Sequence, residues 1–187
     1  MEKVRTFLAV DFGMFYQKEL ARLVGALRWK VQGVRWGDPS KVHLTLHFFG
    51  EVSPEELASA EEGIRRALFG ICPMEIFLRG VDVFPSMRAP RVFWVGLGGD
   101  IEGLDKLKQS LDRELSAKGF LIEPRPFKPH LTIGRAKGRS GGEIPETLRA
   151  FEVSRIFRAC ELILYRSDLS RGGAVHTPIR VFPVGGG

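Results

Sequence analysis

The chain has little cysteine, little histidine and no long apolar run. Its 187 residues include two cysteines, Cys72 and Cys160, in apolar-rich segments (GICPMEIF and FRACELIL). Two distant thiols exclude a disulfide framework and a CxxC metal or redox site, and suggest reduced, buried side chains in a cytoplasmic protein. No window approaches the eighteen apolar residues of a membrane span, and MEKVRTFLAVDFG lacks the apolar run and cleavage site of a signal peptide. Acidic residues are outnumbered, 22 against 28 Lys and Arg, for a net charge of +6 and a pI near 9.6. That balance favours an anionic partner, nucleic acid being the commonest.

What remains is ordinary globular material: 44% hydrophobic and 27% charged residues, enough for one core. Val4 to Val10 reads as a strand, and Leu20, Leu23, Val24 and Leu27 lie at helical spacing within 15–27. KVHLTLHFFGEV reads as a strand, followed by a helix with Ser53 as N-cap and Pro54 in first position. CPMEIFLRGVDVF and RVFWVGL alternate as strands joined by PSMRAP, and Ile101, Leu104, Leu107, Leu111 and Leu115 form one helical stripe. FKPHLTIGRAK is a strand, 138–142 a polar, glycine-rich loop, and ACELILYRSDL and AVHTPIRVFPV two closing antiparallel strands. The expected class is α+β: one bilobal, pseudo-symmetric domain over 1–187, antiparallel sheets lining a central cleft with helices outside.

Of the four histidines, two are followed by Leu-Thr and an aliphatic residue: HLTL at 43–46 and HLTI at 130–133. With 20 Leu and 5 Thr in the chain, composition alone produces such a pair with odds of about one in twenty thousand. A single HLT on a strand is more often structural; the duplicate is the strongest signal here. Alternation puts His43 and Thr45 on one face of a strand and His130 and Thr132 on one face of another, about 7 Å apart in each case. Two imidazoles, one neutral and one protonated, are what general acid-base catalysis requires, and threonine hydroxyls suit phosphate oxygens. The fitting chemistry is in-line displacement at phosphorus: one histidine takes a proton from water and the other gives one to the leaving ribose oxygen.

His43 and His47 have the i, i+4 spacing of a helical zinc pair, but in a strand they stand about 13 Å apart. No metal and no cofactor is therefore expected, and His47 reads as a rim residue facing solvent or phosphate. Phe48 falls on the buried parity and reads as core. Arg135 and Lys128, flanking the second tetrad, are candidates for RNA phosphates, Phe127 for stacking a base, and Arg88 and Arg91 for backbone contacts.

These motifs taken together resemble the two-histidine (2H) phosphoesterase superfamily, defined by paired H-x-[ST]-x motifs, and within it the RNA 2',3'-cyclic phosphodiesterase (2'-5' RNA ligase-like) group. The likeness also rests on RTFLAVD, LHFFGEV, PRVFWVGL, FKPHLTIGR and ELILYRSDLSRGGAVHTPI. It implies a metal-independent hydrolase that opens RNA 2',3'-cyclic phosphate ends to 2'-phosphates, with His43 as proton donor, His130 as proton acceptor, and Thr45 and Thr132 on the phosphate. The implied partner is RNA with such an end, tRNA halves included, met by a cytoplasmic monomer away from any membrane. Reversal would join ends by 2'-5' ligation. A noncatalytic RNA-binding module and a phosphodiesterase for small cyclic nucleotides remain alternatives. His176 stands where the resemblance leads one to expect an aromatic residue, a departure that bears on substrate fit.

Overall fold

The structure, a computed structural model, describes residues 3–141, 144–153, 155–170 and 173–185. Along the chain run β1 (Val4–Asp11), α1 (Gly13–Lys30), β2 (Gln32–Trp36), a 3-10 turn (Pro39–Lys41), β3 (His43–Val52), α2 (Pro54–Ala67), β4 (Met74–Phe84), β5 (Val92–Gly99), α3 (Ile101–Ala117), β6 (His130–Gly141), α4 (Glu146–Arg149), β7 (Phe157–Ala159), β8 (Glu161–Ser170) and β9 (Gly173–Pro183). The strands form two antiparallel sheets, one ordered β3-β1-β8-β9 and the other β2-β6-β5-β4-β7. This is the α+β arrangement expected. Each sheet holds one tetrad, HLTL on β3 and HLTI on β6, and these two strands approach each other across the sheets.

Local chemistry starts and ends the helices. Ser53 caps α2: its hydroxyl accepts from the Glu56 amide (3.2 Å) and the Glu56 carboxylate accepts from the Ser53 amide (2.7 Å), a reciprocal pair that satisfies two end donors. Asp100 caps α3 by accepting from the Gly103 amide at 2.8 Å. The stripes Leu20, Leu23, Val24, Leu27 of α1 and Leu104, Leu107, Leu111, Leu115 of α3 enter a single large core with one face of both sheets. Among the described residues no helix is long and apolar enough to cross a membrane.

Several sequence expectations need correction. β2 had no recognised signal, because five residues are too few for alternation to register. The segment expected to be a loop from 138 is still strand to Gly141, whose partner is Gln32 of β2; position 142 lies outside the described residues. Cys72 and Cys160 are exposed. Apolar neighbours in sequence did not bury them: in Cys72-Pro73-Met74 it is Met74 that faces the core.

The largest correction concerns the strands carrying the tetrads. In β3, Ala9 pairs with Thr45 while the adjacent Leu8 pairs with His47, so Leu46 is an extra residue with no partner opposite. In β6, Trp94 pairs with Thr132 while Phe93 pairs with Gly134, so Ile133 is extra. Both bulges fall on the fourth residue of a tetrad. A bulge of one residue reverses the alternation beyond it. Leu46 and His47 therefore both face the core, and Phe48, expected there, faces out. His47 is 5% exposed and Phe48 68%. In β6, Ile133 and Gly134 face the core, where a Cβ on Gly134 would come within 2.8 Å of Trp36 and 2.9 Å of Val34.

Candidate active site

The β-face opposite the core carries His43 and Thr45 on one sheet and His130 and Thr132 on the other, all half-buried. Both histidines are held alike. His43 Nδ1 lies 2.9 Å from the Lys41 carbonyl oxygen, and His130 Nδ1 lies 2.7 Å from the Lys128 carbonyl oxygen. A carbonyl can only accept, so each Nδ1 carries the proton, and each Nε2 of the neutral ring is left as the reactive, basic nitrogen. The repeat is thus longer than the tetrads: Lys-x-His-Leu-Thr, with the lysine backbone orienting the ring two residues on. The sequence displays this signal at 41–45 and 128–132, where alternation draws attention to the lysine side chain and not to its carbonyl.

Aromatic rings form the bed of each histidine. Around His43, the Phe7 ring is stacked at 4.7 Å, Tyr165 lies at 6.1 Å, and His176 meets it edge-on at 5.4 Å. Phe7 and Tyr165 stack on each other at 5.2 Å, and the Tyr165 hydroxyl donates to Asp11 Oδ2 at 2.8 Å. Asp11 is the direct cross-strand partner of His43. Around His130, Phe84 and Trp94 stack at 4.9 Å and both meet the imidazole edge-on, at 5.1 and 5.9 Å. The Lys128 ammonium lies over Trp94 at 4.3 Å and Phe84 at 5.3 Å. Opposite His130 stands Gly96, where a Cβ would come within 2.6 Å of the Arg79 carbonyl. Beside this histidine a cavity of about 410 Å³ opens, bounded by Arg79, Asp82, Trp94, Gly96, Lys128 and Arg149.

Burial is the main influence on both catalytic candidates and lowers both imidazole pKa values, since the apolar bed disfavours charge. In both, the hydrogen bond to the carbonyl two residues back comes next and favours the proton; the surrounding charges differ. At His43 a charged His176 opposes the proton and the Asp11 carboxylate, a smaller influence, favours it. At His130 the Lys128 and Arg135 cations both oppose the proton. His176 is itself lowered, first by burial and then by Lys41, so near neutral pH its opposition to His43 fades while that of the two cations on His130 persists.

Of the other sequence candidates, Arg135 adds its charge to the setting of His130. Arg135, past the bulge, is exposed and pairs with Arg35 and Val92. Arg88 and Arg91 are exposed on the turn beyond Phe84, with the Arg91 amide donating to the Phe84 carbonyl at 2.7 Å. Phe127 is half-buried against the main core, with the Lys108 ammonium 5.8 Å from its ring. His47, expected at the rim, is inside: burial chiefly, then Lys108, lowers its pKa to about 4, and its Nε2 has no hydrogen-bond partner among the described residues. Phe7, Tyr165, Phe84 and Trp94 were missed as site residues. They sit in ordinary apolar strands, and only the pairing of β1, β8, β4 and β5 with their neighbours brings them under the histidines.

The LigT like Phosphoesterase family model matches residues 16–94 and 97–176, each segment containing one tetrad. An RNA 2',3'-cyclic phosphodiesterase of Methanothermobacter thermautotrophicus is 37% identical over 183 residues, covering 96% of this chain and 98% of its own. An RNA 2',3'-cyclic phosphodiesterase of Archaeoglobus fulgidus is 34% identical over 182 residues, covering 96% and 99%. The crystal structure of TT0787 of Thermus thermophilus superposes with a TM-score of 0.81 at 26% identity, covering 96% of this chain and 97% of that one.

Proposed function

The chain belongs to the LigT like phosphoesterase family, and from that premise we propose that it hydrolyses 2',3'-cyclic phosphate ends of RNA to 2'-phosphates by paired-histidine acid-base chemistry. The observation that carries this reading is the matched setting of His43 and His130. Each ring is anchored through Nδ1–H to the carbonyl two residues back, which leaves two Nε2 atoms for proton transfer.

The reaction needs one of these nitrogens protonated and the other bare. The charges around them support His43 as the acid, beside the Asp11 carboxylate, and His130 as the base, beside Lys128 and Arg135. His130 Nε2 removes a proton from water as its oxygen bonds to phosphorus. The P–O3' bond breaks, and His43 Nε2–H protonates O3'. The product carries a 2'-phosphate and a 3'-hydroxyl, and one water has been consumed. Solvent then returns the proton from His130 to His43. Thr45 and Thr132 donate to the nonbridging oxygens, and Ala9, opposite Thr45, leaves its hydroxyl uncrowded. A cyclic phosphate is a monoanion, so its arrival offsets the burial that keeps both imidazoles neutral and helps to hold the proton on the acid. With an RNA 5'-hydroxyl in place of water, the same pair forms a 2'-5' linkage.

The substrates are RNA ends of this kind, tRNA halves among them, and the chain works on them as one bilobal monomeric unit in the cytoplasm. The test is to incubate the protein, in EDTA, with an RNA ending in a 2',3'-cyclic phosphate and to identify the terminus. The expected product is a 2'-phosphate. His43→Ala and His130→Ala should each lower turnover by about 10²- to 10⁴-fold with RNA binding retained. A terminus that stays cyclic, or a 3'-phosphate product, would refute the reading.

A further inference from the structure

We infer that the cavity beside His130 is an acceptor subsite for 2'-5' joining, holding the 5'-terminal nucleotide of a second RNA with Arg79 on its 3'-phosphate, a role that rests on the activity proposed above. In-line displacement puts the attacking and leaving oxygens on opposite sides of phosphorus, so with His43 on O3' the nucleophile comes from the side of His130. A water there needs only about 30 Å³. The space present is about 410 Å³, which is within the range of small-molecule sites. Strand register keeps it open: His130 of β6, Gly96 of β5 and Arg79 of β4 are direct cross-strand partners and form one row. The glycine leaves the sheet face bare between the two side chains, whose Cα atoms stand two strand spacings, about 10 Å, apart. Trp94, with the Lys128 ammonium over its ring, and Arg149 of α4 complete the walls.

The charges suit a phosphate. Arg79 pairs with Glu152 at 3.1 Å and Arg149 with Glu146 at 3.5 Å, and both pairs are open to solvent, so exchanging a carboxylate for a phosphate costs little. The Asp82 carboxylate also borders the cavity, where it accepts from the Val83 amide at 2.8 Å. A site that admits water alone has no use for a chamber of this size lined with guanidinium groups on the nucleophile's side. A 5'-terminal nucleoside uses all of it: its 5'-hydroxyl meets His130 Nε2, and one ribose further on its 3'-phosphate meets Arg79. The O5'–P bond then forms as the P–O3' bond breaks, His130 takes the proton of the 5'-hydroxyl, and His43 gives its own to O3'. No water is consumed. The ligand class is an RNA end with a free 5'-hydroxyl, read through the phosphate that follows its first nucleoside.

The test gives the protein a labelled RNA ending in a 2',3'-cyclic phosphate together with rising concentrations of an acceptor, either the dinucleotide ApA with a free 5'-hydroxyl or adenosine, which has no phosphate. For Arg79→Ala, the ApA concentration that gives half-maximal joining should rise about 10-fold, the loss of one hydrogen bond between charged groups. Joining to adenosine, and hydrolysis without acceptor, should keep their wild-type rates. Arg79→Lys, which keeps the charge, should fall between. Hydrolysis lost along with joining would assign the cavity to the strand that carries the cyclic phosphate, and an unchanged dependence on ApA would leave Arg79 without a ligand; either result overturns the subsite while the activity stands. A wild-type protein that hydrolyses the end but joins neither acceptor overturns it as well. If the wild-type protein does not open the cyclic phosphate at all, the activity itself is refuted and the subsite with it.

Discussion

His47→Leu should make the protein more stable, by an amount that grows as pH falls, without altering catalysis. In the folded chain His47 is buried among Phe49 and the Lys108 and Asp112 side chains of α3, and its pKa drops from 6.5 to about 4, chiefly because burial disfavours the imidazolium. In the unfolded chain it returns to about 6.5. The folded state thus favours the neutral ring: the full stability is present above pH 6.5 and is lost progressively as pH falls from 6.5 through 4. The difference of about 2.5 pKa units corresponds to about 3 kcal/mol of stability removed by pH 4. Leucine has no charge to acquire, so the variant keeps that increment. Near pH 7.5 the gain is smaller and comes from deleting a buried ring nitrogen that has no partner among the described residues, an effect of about 1–3 kcal/mol. The assay is urea or thermal unfolding of both proteins at pH 7.5, 6, 5 and 4. At the acid end the variant's extra increment should appear as an added gap in Tm of about 6–12 °C. The other histidines and the Lys108–Asp112 pair are common to both proteins and largely cancel in the comparison. Parallel stability curves across this range would refute the argument, and so would a loss of turnover at pH 7.5, because a core residue has no part in the proton transfers.

Replacing the hydroxyls one at a time, as Thr45→Val and Thr132→Val, should cut kcat/KM on cyclic-phosphate RNA by roughly 10-fold each, the value of one hydrogen bond to a charged group; unchanged kinetics would remove them from the phosphate. His176→Phe keeps an edge-on ring against His43 but cannot charge. It should match wild type at pH 8 and gain on it as pH falls and His176 takes up the charge that opposes the proton on His43; a constant ratio across the pH range would show that the two imidazoles do not communicate.

The legible part of this molecule was whatever depends on neighbours along the chain. The capping residue of α2, the leucine stripe of α3 and the shared face of His43 and Thr45 follow from periods of 3.6 and 2 that need no knowledge of the rest of the fold. The pairing of the tetrads was legible as well, since two copies of a rare string report a common role before any geometry is known. The Lys-x-His extension was equally visible and went unread, because its meaning lies in a backbone carbonyl rather than in the lysine side chain.

Tertiary structure decided the rest, above all the fate of His47 and Phe48. An extra residue in a strand is extra only with respect to the strand opposite, so the bulges at Leu46 and Ile133 exist in the register of β3 with β1 and of β6 with β5. No period computed along one segment contains that information. The histidine that alternation placed at the rim therefore lies in the core, and the phenylalanine it placed in the core is exposed on the opposite face. In the same way, Tyr165 and His176 reach His43 across more than a hundred residues through the order β3-β1-β8-β9. The sequence displayed the paired histidines and threonines; the pairing of distant strands determined which rings and charges surround them, because a neighbour across a sheet is set by register and not by distance along the chain.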